Sequence, residues 1–201
     1  AMGGDAVEGL LREHAPRVLG AVVRPYGHFD LCEDAVQEAL LAGSIDLAVH
    51  SLKDLPTENP SGLQIVATPE REDARDAMVG SKLQDLPIGS RVGTGSLRRV
   101  AQIKAARPDL VVEGIRGNVD TRLRKLDEGQ FHAIVLACAG LNRLGWSDRI
   151  AEHLPVEVMC PAVGQGALAV QTRSDDGPAA RICAGLNHRL TYAAVTAERA
   201  V

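Results

Sequence analysis

From Ile45 onward, short apolar runs alternate with helical stretches, and that rhythm leaves few folds open. The runs fall at residues 45–49, 63–67, 77–79, 91–93, 110–115 and 133–137. Short apolar runs bounded by turn residues predict buried strands. Helical periodicity fills the gaps at 97–106 and 119–128. A strand-to-strand spacing of about twenty residues is that of βαβ units, whose crossovers are right-handed. The expectation is an α/β chain with mixed, mostly parallel sheets. After Trp146 the pattern predicts a short helix ending near Leu154, a strand at 167–172, a helix over 178–186 and a last helix from Thr191.

The first 42 residues follow another pattern. Val7, Leu10, Leu11, Val18 and Val22 recur at helical spacing, as do Ala35, Val36, Leu40 and Leu41 after a polar turn at 27–30. This predicts a helix pair, with Asp30 as an N-cap and Glu33 as its capping-box partner. Pro16 interrupts the first helix or marks its start. Composition changes near Ala42 and Gly43. A second joint is expected where Ala67-Thr68-Pro69 and residues 158–163 form paired hinge strands between two lobes. The expected division is a helical segment at 1–42, a first α/β domain from 43–67 and 159–201, and a second from 68–158.

Bulk properties narrow the function. A formal net charge of -4 argues against nucleic acid as the main ligand, because phosphate binding favours a basic surface. Cys32, Cys138, Cys160 and Cys183 are far apart, with no Cys-x-x-Cys pair and no nearby Cys/His cluster. Buried free thiols in a reducing compartment are expected, and no metal site. No apolar run reaches about 18 residues, and the start lacks a basic region followed by an apolar one, so a cytoplasmic chain with no membrane partner is expected.

Three motifs carry chemistry. In His50-Ser51-Leu52-Lys53-Asp54-Leu55-Pro56-Thr57 a strand delivers an ammonium and a carboxylate onto a loop that Pro56 stiffens. The bland reading is a surface turn. The functional one has Asp54 bonding an N–H-bearing substrate and passing a proton. His50 reads as a packed or capping histidine rather than a base. Gly93-Thr94-Gly95-Ser96-Leu97-Arg98-Arg99 runs from a strand end into a helix; Ser96 can cap it, and the free amides of the first turn favour an anion. It is no dinucleotide fingerprint, since Arg98 takes the place of the third glycine. Arg116-Gly117-Asn118-Val119-Asp120-Thr121-Arg122 repeats the design one βα unit later. Carboxyl ends of neighbouring strands in an open sheet share one crevice, so Arg98, Arg99, Arg116 and Arg122 can line a single cleft suited to carboxylates. Pro161-Ala162-Val163-Gly164-Gln165-Gly166 reads either as a tight turn or as a hinge whose backbone lines the cleft.

Residues 46–57, 92–99, 115–123, 139–145 and 161–166, with Leu186-Asn187-His188 and Glu198-Arg199-Ala200, together resemble the porphobilinogen deaminase (hydroxymethylbilane synthase) family over roughly residues 38–201. The resemblance implies periplasmic-binding-protein-like lobes and a cytoplasmic transferase of tetrapyrrole biosynthesis. Such an enzyme joins porphobilinogen units head to tail into hydroxymethylbilane, releasing ammonia, on a covalently held dipyrromethane primer. It implies Asp54 as the catalytic carboxylate. It places Lys53, Ser51, Thr94, Ser96, Arg98, Arg99, Arg116, Asn118, Arg122, Gly164 and Gln165 around the side chains of substrate and primer. Porphobilinogen and linear pyrroles are the implied partners. The chemistry is general acid catalysis with electrostatic stabilisation.

Two departures shape the expectations. The family's opening Arg-x-Ser-x-Leu-Ala signature and its Gly-Gly-Cys primer-attachment cysteine have no counterpart among these residues, which predicts an incomplete first lobe and weakened turnover. Residues 5–42 instead resemble the start of an extracytoplasmic-function-type sigma factor, through Leu10-Leu11-Arg12-Glu13-His14-Ala15-Pro16-Arg17-Val18-Leu19 and Glu33-Asp34-Ala35-Val36-Gln37-Glu38-Ala39-Leu40-Leu41. Alternatives therefore stand: a non-catalytic anion- or tetrapyrrole-binding module, an RNA polymerase-interacting fragment, or an N-terminal segment that serves as packing or as a route to oligomers.

Overall fold

The computed structural model describes residues 29–175 and 177–200. The chain divides into two compact units, one from Ala1–Glu70 with Ala167–Val201 and one from Arg71–Gly166. In chain order the elements are α1 (Phe29–Leu41), β1 (Ala48–Ser51), β2 (Leu63–Ala67), β3 (Asp76–Val79), β4 (Arg91–Gly93), α2 (Leu97–Ala106), β5 (Val111–Glu113), α3 (Val119–Asp127), β6 (Ala133–Ala137), α4 (Cys138–Arg143), β7 (Ile150–His153), β8 (Leu168–Arg173), α5 (Pro178–Cys183) and α6 (Arg189–Arg199). Single 3₁₀ turns lie at Leu52–Asp54, Ser147–Arg149 and Ala184–Leu186.

In the second unit the sheet order is β5-β4-β6-β3-β7. Strand residues alternate between faces, and the apolar ones here sort accordingly. Met78, Val92, Ala133 and Val135 point to one side, where Ile103 of α2 joins Leu83, Leu154 and Met159. Ala77, Val79, Ile134 and Leu136 point to the other, against Leu123 of α3 and Leu141 of α4. Helix α2 stops where it must: Arg107 closes it onto Ile103 O, and Pro108 disfavours helical geometry in the residue before it.

The first unit has a three-stranded sheet, order β1-β8-β2. Ala169 of β8 packs with Leu52 and Val195 of α6, while Val170 packs with Leu47 and Cys183 of α5. Helix α1 lays Leu40 on Ala48 and Leu63. Its last turn is tied down by Arg173, whose Nη1 donates to Leu40 O at 2.9 Å and Ile45 O at 2.8 Å while Nη2 pairs with Asp46 at 2.9 Å. A cation at a helix C-terminus satisfies carbonyls that have no partner within the helix.

Several expectations need correction. The α/β class stands, but parallel order is confined to β4 with β5 and β6 among the described residues; β3 lies antiparallel to β6 and β7, and both ladders of the first sheet are antiparallel. Residues 150–153, expected as helix, form β7, because pairing with β3 outweighs a four-residue local preference. Asp30 lies inside α1 rather than capping it. Residues 158–163 are not a hinge strand: Met159 is fully buried in the core of the second unit, which extends to Gly166. The first expected helix, with Val7 to Val22, lies outside the described residues.

Candidate functional site

Asp54 ends the 3₁₀ turn that follows β1. Buried Leu52 anchors the turn, its amide donating to Ala167 O at 3.0 Å, and Leu55 N closes it onto Leu52 O at 3.1 Å. Arg199 of α6 holds the next stretch by donating from Nη2 to Thr57 O at 2.7 Å and to Pro56 O. Ser51, Lys53 and Asp54 are all exposed, on this pinned frame. Nearby protein still withholds water from the Asp54 carboxyl and pushes its pKa up, against the pull of Lys53. His50 is half-buried, and burial lowers its pKa. The Gln171 side chain opposes that shift from outside ordinary hydrogen-bond geometry, and His50 Nε2 has no protein partner among the described residues.

The second unit gathers its candidates at the carboxyl end of β4 and β5. Thr94 is buried, its Oγ1 accepting from Ser96 N at 3.2 Å. Ser96 occupies the N-cap position of α2 without a side-chain cap bond, contrary to expectation. Asn118 does cap α3, its Oδ1 accepting from Thr121 N at 2.8 Å. Gly117 (φ 114°) has no room for a Cβ, which would meet Thr121 at 2.7 Å. Arg122 fixes its Nε on Gly117 O at 2.8 Å; its two terminal amino groups and the whole guanidinium of exposed Arg116 have no protein partner among the described residues. Burial, with neighbouring Arg99, lowers the Arg122 pKa.

Arg98 and Arg99 converge on Asp76, a residue the sequence reading overlooked. Asp76 opens β3 with no solvent exposure and accepts from Arg98 Nη2 at 2.7 Å, from Arg99 Nη2 at 2.6 Å and Nε at 3.1 Å, and from Gln165 Nε2 at 2.9 Å. Arg99 completes its set on Val135 O at 3.1 Å. Expected at the ligand, Arg99 is instead an interior residue whose donors are committed within the protein. Its place four residues before buried Ile103 on α2 put it on the inner face. Arg98 stays partly exposed and also reaches Cys160 O. Gln165 sits in the loop as a clamp, with Nε2 donating to Ala74 O at 2.6 Å as well. Gly164 is buried in the same loop, and Arg71 Nε grips Gln165 O at 2.9 Å. Arg98, Arg99 and Arg122 set three cations against one carboxylate, a surplus of positive charge that attracts anions. A charge opening a buried apolar strand, as Asp76 does, was the signal available in sequence.

One further group could hold a metal ion. Donor atoms of Asp73, Cys138 and His153 all lie within 4.8 Å of one another. Burial, reinforced by the charge of Asp73, pushes the Cys138 thiol up to about 12.

Solved structures share this fold. A putative methionine-binding lipoprotein from Bacillus subtilis aligns with a TM-score of 0.56 at 13% identity, covering 92% of this chain and 84% of that one. A TRAP periplasmic solute binding protein from Desulfovibrio salexigens aligns at 0.52 and 11% identity, covering 98% and 70%. At these identities the likeness defines a class alone, the α/β fold of periplasmic binding proteins. Sequence goes further. The family described as porphobilinogen deaminase, dipyromethane cofactor binding domain, matches residues 17–181. Porphobilinogen deaminase of Geobacter metallireducens is 48% identical over 201 residues, covering 98% of this chain and 63% of the relative. That of Geobacillus kaustophilus is 52% identical over 188 residues, covering 92% and 61%. The chain belongs to the porphobilinogen deaminase family and spans about 63% of the length of such relatives. The match begins at residue 17, ahead of Glu38 where the likeness was expected to start and inside the segment expected to resemble a sigma factor.

Proposed function

We propose that this protein is a hydroxymethylbilane synthase-type transferase of tetrapyrrole biosynthesis, condensing porphobilinogen units head to tail with release of ammonia. What carries the reading is the family match over residues 17–181, which contains the Lys53-Asp54 turn and both arginine turns. Asp54 is the group proposed to hold and move a proton at the substrate's amine, and to accept from its pyrrole N–H. A raised pKa supports that role, since an acid catalyst must keep its proton nearer neutral pH. Arg116, Arg122 and Arg98, with the Ser96 hydroxyl, are proposed to orient acetate and propionate side chains. The guanidinium donors of Arg116 and Arg122 that have no protein partner among the described residues fit that chemistry, and they equally fit a dipyrromethane carrying the same carboxylates. When bound, that cofactor supplies the pyrrole end that the chain extends. Arg99, Asp76, Asn118, Thr94 and Gln165 are positioning residues in this scheme. No described helix is long and apolar enough to cross a membrane.

Incubation with porphobilinogen tests the proposal, read by a colour assay for uroporphyrin and by intact protein mass. Product that drops about 100-fold or more in Asp54→Asn is expected from the loss of an acid catalyst. Undiminished product in that variant would sink the reading. A second reading, binding of linear pyrroles or dicarboxylates without turnover, is favoured by the surplus of arginines in the second unit alone. Calorimetric binding that survives Arg116→Ala and Arg122→Ala together would rule it out.

A further inference from the structure

We propose that Asp73, Cys138 and His153 form a binding site for a divalent transition-metal ion of the zinc type. The inference does not rest on the proposed function. Three adjacent strands set it up: in the sheet, β3 lies between β6 and β7. Asp73 lies three residues ahead of the start of β3, Cys138 follows β6 as the first residue of α4, and His153 ends β7. Ladder contacts fix their backbones together, with Cys138 N donating to Arg75 O at 3.0 Å and Leu154 N donating to Asp76 O at 2.9 Å. Sequence spacing hid this group because the three residues meet only through strand pairing.

The donors suit one kind of ion. A thiolate, an imidazole and a carboxylate are the ligand types of zinc, the Cys138 thiol giving up its proton to solvent as the metal–sulfur bond forms, and the mixture is too soft for calcium or magnesium. Bond lengths of about 2.0–2.3 Å in tetrahedral geometry place ligand atoms roughly 3.2–3.8 Å apart. Donors already within 4.8 Å need close by at most about 1–1.6 Å to meet that figure. Cys138 is buried and Asp73 half-buried, while His153 is exposed, so an ion has a path from solvent and a fourth position for water.

Arg75 completes the design from behind. Its Nε donates to Asp73 Oδ1 at 3.0 Å and Oδ2 at 3.1 Å, its Nη2 to Oδ2 at 2.7 Å, and its amide to Oδ1 at 2.9 Å. This grip orients the carboxylate, as outer partners of metal ligands do; the single Nε hydrogen is shared between the two oxygens, so an ion takes the place of that divided contact while the amide and Nη2 bonds stay. A salt bridge alone would need neither the thiol nor the imidazole beside it.

Cobalt(II) titration of the full chain carrying Cys160→Ser, which removes the exposed thiol, tests the site. A thiolate-to-cobalt charge-transfer band is expected, displaced by zinc, with a raised melting temperature in zinc, since a ligand of the folded state stabilises it. Cys138→Ser should abolish the band. His153→Ala, an exposed change that leaves the fold intact, should weaken affinity by about 10-fold or more, while Arg75→Gln should weaken it by about 10–100-fold. Absence of a band, a band that persists in Cys138→Ser, or affinity unchanged in His153→Ala would each overturn the proposal.

Discussion

The two units handle charge in opposite ways. In the second, the arginine turns are backed by a buried network in which Asp76 holds Arg98, Arg99 and Gln165. In the first, Lys53 and Asp54 stand exposed on a short turn held by backbone bonds and by Arg199. Interior pairing makes a rigid platform, because a buried ion pair tolerates little displacement before a charge is left uncompensated. An exposed acid keeps its freedom to exchange protons with water. Recognition needs the first property and proton transfer the second, which is why the proposed function gives binding to the arginine turns and proton transfer to Asp54.

The largest effect should follow from breaking the platform. Asp76→Ala leaves Arg99 buried without a counter-charge and frees Arg98, and losing one partner of a buried pair costs about 3–5 kcal/mol. Urea unfolding should show that loss. A change below about 1 kcal/mol would mean that Arg99 finds water or another acceptor, and the contrast between the units would collapse.

Next comes the clasp that closes the platform. Gly166 has φ 84°, and an added Cβ would lie 2.6 Å from Glu72 O. Backbone here cannot easily give way, since Glu72 N donates to Gly166 O at 3.0 Å. Gly166→Ala should cost about 1–3 kcal/mol for the left-handed conformation and the clash. The same unfolding measurement reads it. Equal stability to the parent would show that the loop at 161–166 is looser than its bonds imply.

How far sequence reached differs between frame and site. The bounds of β2, β4, β6 and α2 were legible, because apolar runs and Pro108 mark them locally. Strand β7 and helix α4 were not, since four and six residues carry too little periodicity and both rely on β3 and β6 beside them. For the site, positions were legible and states were not. Arg98 and Arg99 look alike in a motif and both reach Asp76, yet helix phase buries Arg99 and leaves Arg98 partly exposed. That phase was readable from Ile103, whereas the meeting of Asp73, Cys138 and His153 required the strand order itself.

The smallest effect belongs to the exposed acid, and its sign is its value. Surrounding protein raises the Asp54 pKa above the ordinary 3.8, so the folded state binds this proton more tightly than the unfolded chain does. Stability from that preference is fully present below the unfolded value and is lost as pH rises through the folded one. The charged carboxylate is therefore slightly destabilising at neutral pH. Asp54→Asn removes the charge while keeping the shape. Its urea midpoint should lie a little above that of the parent at pH 7, and the gap should close as pH falls towards 3.5. A parent that is the more stable of the two at pH 7 would mean the carboxylate is held by a favourable partner, and Asp54 would then resemble Asp76 rather than oppose it.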